Sequence, residues 1–163
     1  MIEAQQLTAT LFIGIGATVL MDLWSLLLLR LFQIPSMSFC LVGRWFCHMR
    51  FGIFRHQSIG KAAPQPAECL IGWFSHYLIG IAFALLLTLP NAGLWLQKPE
   101  PGLAMLVGVG TVALPFLLMQ PALGLGIAAA KTATPYKARL KSLMTHSVFG
   151  LGLYLSGCIF SML

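Results

Sequence analysis

Four stretches of this chain are each long and apolar enough to cross a bilayer, and three of them contain no Lys, Arg, Asp or Glu. They run over 7–29, 69–90, 102–130 and 142–163, and the first carries a single charge, Asp22. A spanning helix needs about 20 apolar residues, whereas the strands of a membrane barrel would be shorter and would alternate in polarity. The expectation is therefore an all-α membrane bundle of four transmembrane helices in a single membrane domain covering 1–163. Only 9% of the residues are charged, against about 25% in ordinary soluble domains. Such a chain cannot clothe a water-facing surface, which excludes a soluble enzyme, a secreted disulfide scaffold and a disordered tail.

The N-terminus, Met1-Ile2-Glu3-Ala4, has no basic segment before the apolar run and no cleavage site of the usual small-residue kind. The first span is thus expected to persist rather than to act as a removable signal. Basic residues set the orientation. Arg30, Arg44, Arg50, Arg55 and Lys61 fall at or within the first connection, and Lys131, Lys137, Arg139 and Lys141 fall in the third. Only Lys98 lies in the second. The positive-inside rule then puts the first and third connections in the cytoplasm and both termini on the periplasmic or external side. The net charge of +6 needs no nucleic acid to explain it, since anionic lipid is the default counterpart of juxtamembrane cations. The four cysteines, Cys40, Cys47, Cys69 and Cys158, do not read as a disulfide framework, because three of them fall near the cytoplasmic side, where thiols stay reduced.

The first connection, about 34–66, mixes rings and cations: Arg44, Trp45, Phe46, His48, Arg50, Phe51, Phe54, Arg55, His56. That mixture suits the headgroup layer, with one or two short interfacial helices starting near Pro35-Ser36 and weak points at Gly43 or Gly52. Ala62–Pro66 is too proline-rich for helix and reads as an extended lead into the second span. Arg44, Arg50, Arg55 and His56 are candidate contacts for a lipid headgroup or another anion. Cys40, Cys47, His48 and His56 raise the thought of zinc, but their spacing matches no compact ligand pair.

Each span carries one polar residue of note: Asp22, His76, Gln120 and His146. Ionisable groups at membrane depth are costly and tend to face a bundle interior or a water-filled cavity. At about 1.5 Å per residue, all four lie roughly 7 to 15 Å from the cytoplasmic ends of their spans. They also share faces with small residues at four-residue spacing: Gly14-Thr18-Asp22-Ser25, Gly72-His76-Gly80-Ala84, Gln120-Gly124-Ala128 and Ser142-His146-Gly150. Such stripes let membrane helices approach closely, so the four are expected to converge on one site. Pro115 and Pro121 each remove a backbone donor, and the third span should kink or partly unwind near Gln120. A faint internal echo links Ser75-His76…Gly80 with Thr145-His146…Gly150, and Gly14-Ile15-Gly16 with Gly108-Val109-Gly110.

A wider set of residues resembles a known family. Leu20-Met21-Asp22-Leu23-Trp24, Val42-Gly43-Arg44-Trp45, Phe54-Arg55-His56, Gly72-Trp73 with His76-Tyr77, Met119-Gln120-Pro121-Ala122, and Thr145-His146 with Phe149-Gly150-Leu151-Gly152 are similar to a bacterial family of small inner-membrane proteins known as a domain of unknown function. The resemblance implies four spans and a bacterial inner membrane, and it implies no activity.

Four functional readings follow from the residues. In the first, the chain is a small carrier or channel component, and the Asp22/His76/Gln120/His146 cluster binds a proton or small polar solute, in a homodimer or a larger membrane complex because four helices enclose little volume. In the second, the same polar residues merely register a structural or accessory subunit. In the third, His76 and His146, on parallel spans, hold a b-type haem or a metal ion; the first two need no cofactor. The fourth is a lipid-acting enzyme, for which no catalytic motif is present, so an enzyme is not the expectation.

Overall fold

The computed structural model describes residues 2–90 and 94–163; Met1, on which the reading of the N-terminus partly rests, lies outside them. The described residues are helical, with turns and no strand. Four helical stretches are long and apolar enough to cross a membrane: Ala4–Phe32, Glu68–Thr88, Pro101–Ala122 and Pro135–Phe160. Their outward apolar side chains are bare. Leu70 is 72% exposed, Leu106 69% and Leu117 65%, exposures that lipid favours and water does not. By length and composition these four helices are suited to crossing a membrane.

Helix α1 (Ile2–Phe32) stops where Gln33 takes a left-handed conformation (φ 55°) and returns its N–H to the Leu29 carbonyl at 3.1 Å, two residues before Pro35. Helix α2 (Phe39–Met49) is the interfacial helix expected in the first connection. Ser38 caps it by accepting from the Cys40 N–H, and it ends ahead of Gly52 at φ 75°. Gly43, expected to weaken it, instead lies within an unbroken helix. A short 3₁₀ turn (Ile59–Lys61) precedes the extended, proline-rich lead into α3 (Glu68–Thr88).

Three spans depart from the boundaries that hydropathy predicts, the first only by added turns at its ends, since α1 runs Ile2–Phe32 where 7–29 was expected. The third was expected to run to residue 130, but its helix is finished at Ala122. It consists of α5 (Pro101–Gly110), a π-helical segment Pro115–Met119 and a single turn, α6 (Gln120–Ala122). Here α4 (Leu94–Gln97) is the short helix ahead of it. The π segment is where the break near Gln120 was predicted. The Gln120 N–H reaches back five residues to the Pro115 carbonyl, and Pro121 has no N–H to continue the α-helical ladder. Gly124 (φ 90°) and Gly126 (φ 75°) then turn the chain, and Ile127–Ala129 is a 3₁₀ turn rather than membrane helix. The fourth helix, α7 (Pro135–Phe160), starts seven residues earlier than expected. Its first turns carry Lys137, Arg139 and Lys141, helical turns that hydropathy alone does not register.

The contacts group into two compact units. One comprises Met1–Pro35, Tyr77–Thr111 and Leu143–Leu163; the other comprises Ser36–His76 and Val112–Ser142. The core of the first is built by Ala9, Ile13, Ala17, Ala84, Leu87, Trp95, Ala104, Phe149 and Leu153. Its helices meet through the predicted small-residue stripes. A Cβ on Gly14 would lie 2.5 Å from Ile81 Cα, one on Gly80 would strike the Thr18 hydroxyl, and one on Gly108 would strike Gly150. The two motifs of the internal echo therefore make the same kind of contact, Gly14 against Gly80-Ile81 and Gly108 against Gly150. The core of the second unit is Val42, Trp45, Ile59, Ala122 and Leu123. There His56 N–H donates to the Ala122 carbonyl at 2.8 Å and Ile59 N–H to that of Leu123 at 3.1 Å, which fastens the first connection along the end of the third span.

Candidate functional site

The four polar residues of the spans are divided between the units, with Asp22 and His146 in the first and His76 and Gln120 in the second. In the first unit, Tyr77 donates its hydroxyl to Asp22 Oδ2 at 3.0 Å. His146 Nδ1 lies 3.0 Å from the Thr111 hydroxyl, which also donates to the Gly108 carbonyl. A third polar link joins Thr10 and Thr88 at 2.6 Å, both fully buried. Asp22 and His146 are thus each engaged by a neighbouring helix. Tyr77 and Thr111, which sequence reading overlooked, are residues whose hydroxyls mean little until their depth is known.

In the second unit His76 stacks on Phe39, with ring centroids 3.9 Å apart, and meets Trp73 edge-on at 5.9 Å. Gln120 is 7% exposed, and its Oε1 has no hydrogen-bond partner among the described residues. It stands at the junction of the π segment and α6, between Pro115 and Pro121.

The basic residues of the first connection separate by role. Arg44 binds Glu68 in a two-pronged ion pair, Nε to Oε2 at 2.9 Å and Nη2 to Oε1 at 2.7 Å, and its Nη1 donates to the Ala62 carbonyl at 3.0 Å. The hydrogen bonds that Arg44 donates to Glu68 hold its guanidinium above its ordinary pKa against the opposing effect of burial. Arg50 donates to Gln65 Oε1 at 3.1 Å and lies over the Phe51 ring at 4.5 Å. It is exposed, as are Arg55 and the apolar Phe51, Ile53 and Phe54 beside them. His56 is half-buried, and it lines an open cleft of about 380 Å³ with Gln57, Ser58, Lys61 and Ala62. Burial, and secondly the charge of His48, lower its pKa from the ordinary imidazole value.

The cysteines require a correction. Cys40 and Cys69, expected as free thiols, form a disulfide with Cα atoms 3.9 Å apart, while Cys47 and Cys158 are free. The expectation used compartment alone and had no means of seeing proximity. Gly43 and Gly72 bring α2 against the start of α3 at backbone distance, a Cβ on Gly43 lying 2.6 Å from Gly72 N. Cys40 and Cys69, one turn from those glycines, are carried together. Glu68, the partner of Arg44, was overlooked for the same reason.

No curated protein and no solved structure matches the chain. A family profile does, over residues 11–160, its description being a protein of unknown function, DUF2938. That match covers nearly the whole length, including three spans in full and most of the first, and it carries no activity with it. The chain belongs to the DUF2938 family of proteins of unknown function.

Proposed function

We propose that this protein is a small transport component of a bacterial inner membrane, a carrier or channel part that passes a proton or small polar solute along the broken third span. The observation that carries the reading is Gln120. A bare amide oxygen at membrane depth costs several kcal/mol in hydrocarbon, about 2–7 by transfer measurements, and a helix broken at that depth is characteristic of a lined binding site. The amide oxygen accepts from an O–H or N–H donor, so the solute class is one that donates: hydrated protons, water-sized solutes, or small amines and amides. In this reading the basic first and third connections face the cytoplasm, and the Cys40–Cys69 disulfide is an exception to the reduced state usual for thiols there. Arg50 and Arg55 meet lipid phosphates while Phe51, Ile53 and Phe54 dip into the headgroup layer. A homodimer supplies the volume that four helices lack.

The polar links of the first unit favour a second reading. Asp22–Tyr77, Thr111–His146 and Thr10–Thr88 each tie one helix to another, and such ties are worth about 0.6 kcal/mol apiece in membranes. An accessory or scaffolding subunit needs nothing more. Reconstituted liposomes separate the two readings. With a pH-sensitive dye inside and a potassium gradient clamped by valinomycin, a transport component dissipates an imposed pH difference, or admits a solute from a panel of small amines and amides. Gln120→Leu in folded protein then removes the flux. Folded wild-type protein that passes neither protons nor any solute of the panel would leave the scaffold reading.

A further inference from the structure

The second unit holds a pair of imidazoles that neither reading above uses. His48, on the inner face of α2, is 8% exposed, and its ring lies edge-on to that of His56 with centroids 5.0 Å apart. His48 Nε2 lies 3.0 Å from the Ala63 carbonyl. A carbonyl only accepts, so Nε2 carries the proton and Nδ1 presents a bare lone pair. That Nδ1 is buried without a partner among the described residues, and so is Nε2 of His56. A ring nitrogen fixed by donation to a backbone carbonyl, with its other nitrogen left as a lone pair, is the outer arrangement that metal-binding histidines adopt. We propose that His48 and His56 form a binding site for a borderline transition-metal cation of the zinc, copper or nickel type.

The ring separation matches one shared ion. With metal–nitrogen bonds of about 2.0–2.1 Å and a ring nitrogen about 1.15 Å from its centroid, two imidazoles on a tetrahedral ion have centroids about 5 Å apart. The near-perpendicular rings, 79° between planes, keep the two side chains clear of each other at that separation. Imidazole nitrogen selects these metals over magnesium or calcium, which require oxygen. Among the described residues no group of three or more His, Cys, Asp and Glu is gathered to hold an ion. The protein therefore supplies two ligands, and solvent or small anions complete the shell. The cleft lined by His56, Ser58 and Lys61 opens beside His56, and Lys61 favours an anion as one of the completing ligands. Arg50 and Lys61 also repel a dication, which limits the affinity. Cys40 is excluded as a ligand by its disulfide.

The test is equilibrium dialysis of untagged, detergent-purified full-length protein against Zn²⁺, with the visible spectrum of added Co²⁺ as a second readout. One Zn²⁺ per chain is expected. His48→Gln and His56→Gln should each weaken binding at least tenfold, and His56→Cys, which restores a ligand, should recover binding and add a thiolate-to-cobalt charge-transfer band. Wild-type protein that holds no Zn²⁺, or variants that bind as wild type does, would overturn the site. If His48→Gln fails to fold, the half-buried His56 decides the matter through its Gln and Cys variants.

Discussion

The contact between α2 and the start of α3 predicts that an alanine at Gly43 or Gly72 is among the most damaging small substitutions in this chain. A Cβ on Gly43 would strike the Glu68 carbonyl oxygen and lie 2.6 Å from Gly72 N and 2.8 Å from Glu68 C. One on Gly72 would strike the Phe39 carbonyl oxygen and lie 2.6 Å from Phe39 C. Every obstructing atom is backbone, so no rotamer relieves the clash, and the helices must separate to roughly normal carbon contact distance, about 3.5–4.0 Å. Overpacking of a rigid site costs about 1–3 kcal/mol, and the upper end applies when backbone must move. Alanine returns about 1 kcal/mol of helix propensity relative to glycine. The net loss is about 2 kcal/mol, or roughly a factor of 30 in the folded-to-unfolded ratio. Separation also stretches the 2.7 Å Arg44–Glu68 bond. The assay is unfolding in mixed micelles by increasing SDS, followed by the fluorescence of Trp45 and Trp73, both within this unit. Gly60→Ala is the control, since nothing lies within 4 Å of its Cβ position, and it should change stability by less than about 0.5 kcal/mol. If Gly43→Ala and Gly72→Ala unfold together with Gly60→Ala, the close approach is not a feature of the protein.

Two further outcomes follow from the same region. Glu68→Gln should destabilise by about 3 kcal/mol, because it strands the Arg44 guanidinium in a site where the side chains of the pair are 12% and 13% exposed; Arg44→Met combined with Glu68→Leu should cost less than the sum of the single changes, read by a double-mutant cycle in the SDS assay. Alkylation under denaturing, non-reducing conditions should label Cys47 and Cys158 alone, and Cys40→Ser should lower stability by about 3–4 kcal/mol, given the separation of 29 residues between the bonded cysteines.

The four spans were legible because apolar runs of that length admit few other structures. Their ends were not. Helical turns precede the apolar run at Pro135–Lys141, while the apolar run after Ala122 is broken by two left-handed glycines, and hydropathy reads neither. Pro115 and Pro121 announced the break beside Gln120, since a missing donor is a local property of the residue. The Arg44–Glu68 pair, the disulfide and the His48–His56 pair depend on how α2 docks, which is decided by two glycines 29 residues apart. Of the candidate site, Gln120 was visible by depth and context, as were Asp22 and His146. Their partners Tyr77 and Thr111 became visible only with the helices in place.

The docking of α2 also bears on the order in which the protein is made. Apart from Met37, the residues named around α2 lie downstream of it: Glu68 and Gly72 at the start of α3, Ile59, and Ala122 and Leu123 at the end of the third span. Synthesis at about 5–20 residues per second leaves roughly 4 to 15 s between the completion of Met49 and the arrival of Leu123. Through that interval Val42, Trp45 and His48 have no protein surface to cover them, and the headgroup layer is the nearest shelter. Cys40 meanwhile waits with Cys47 as its only neighbouring thiol. Biogenesis must therefore keep Cys40 uncommitted until Cys69 emerges, and a nascent chain halted between them carries a thiol whose proper partner does not yet exist.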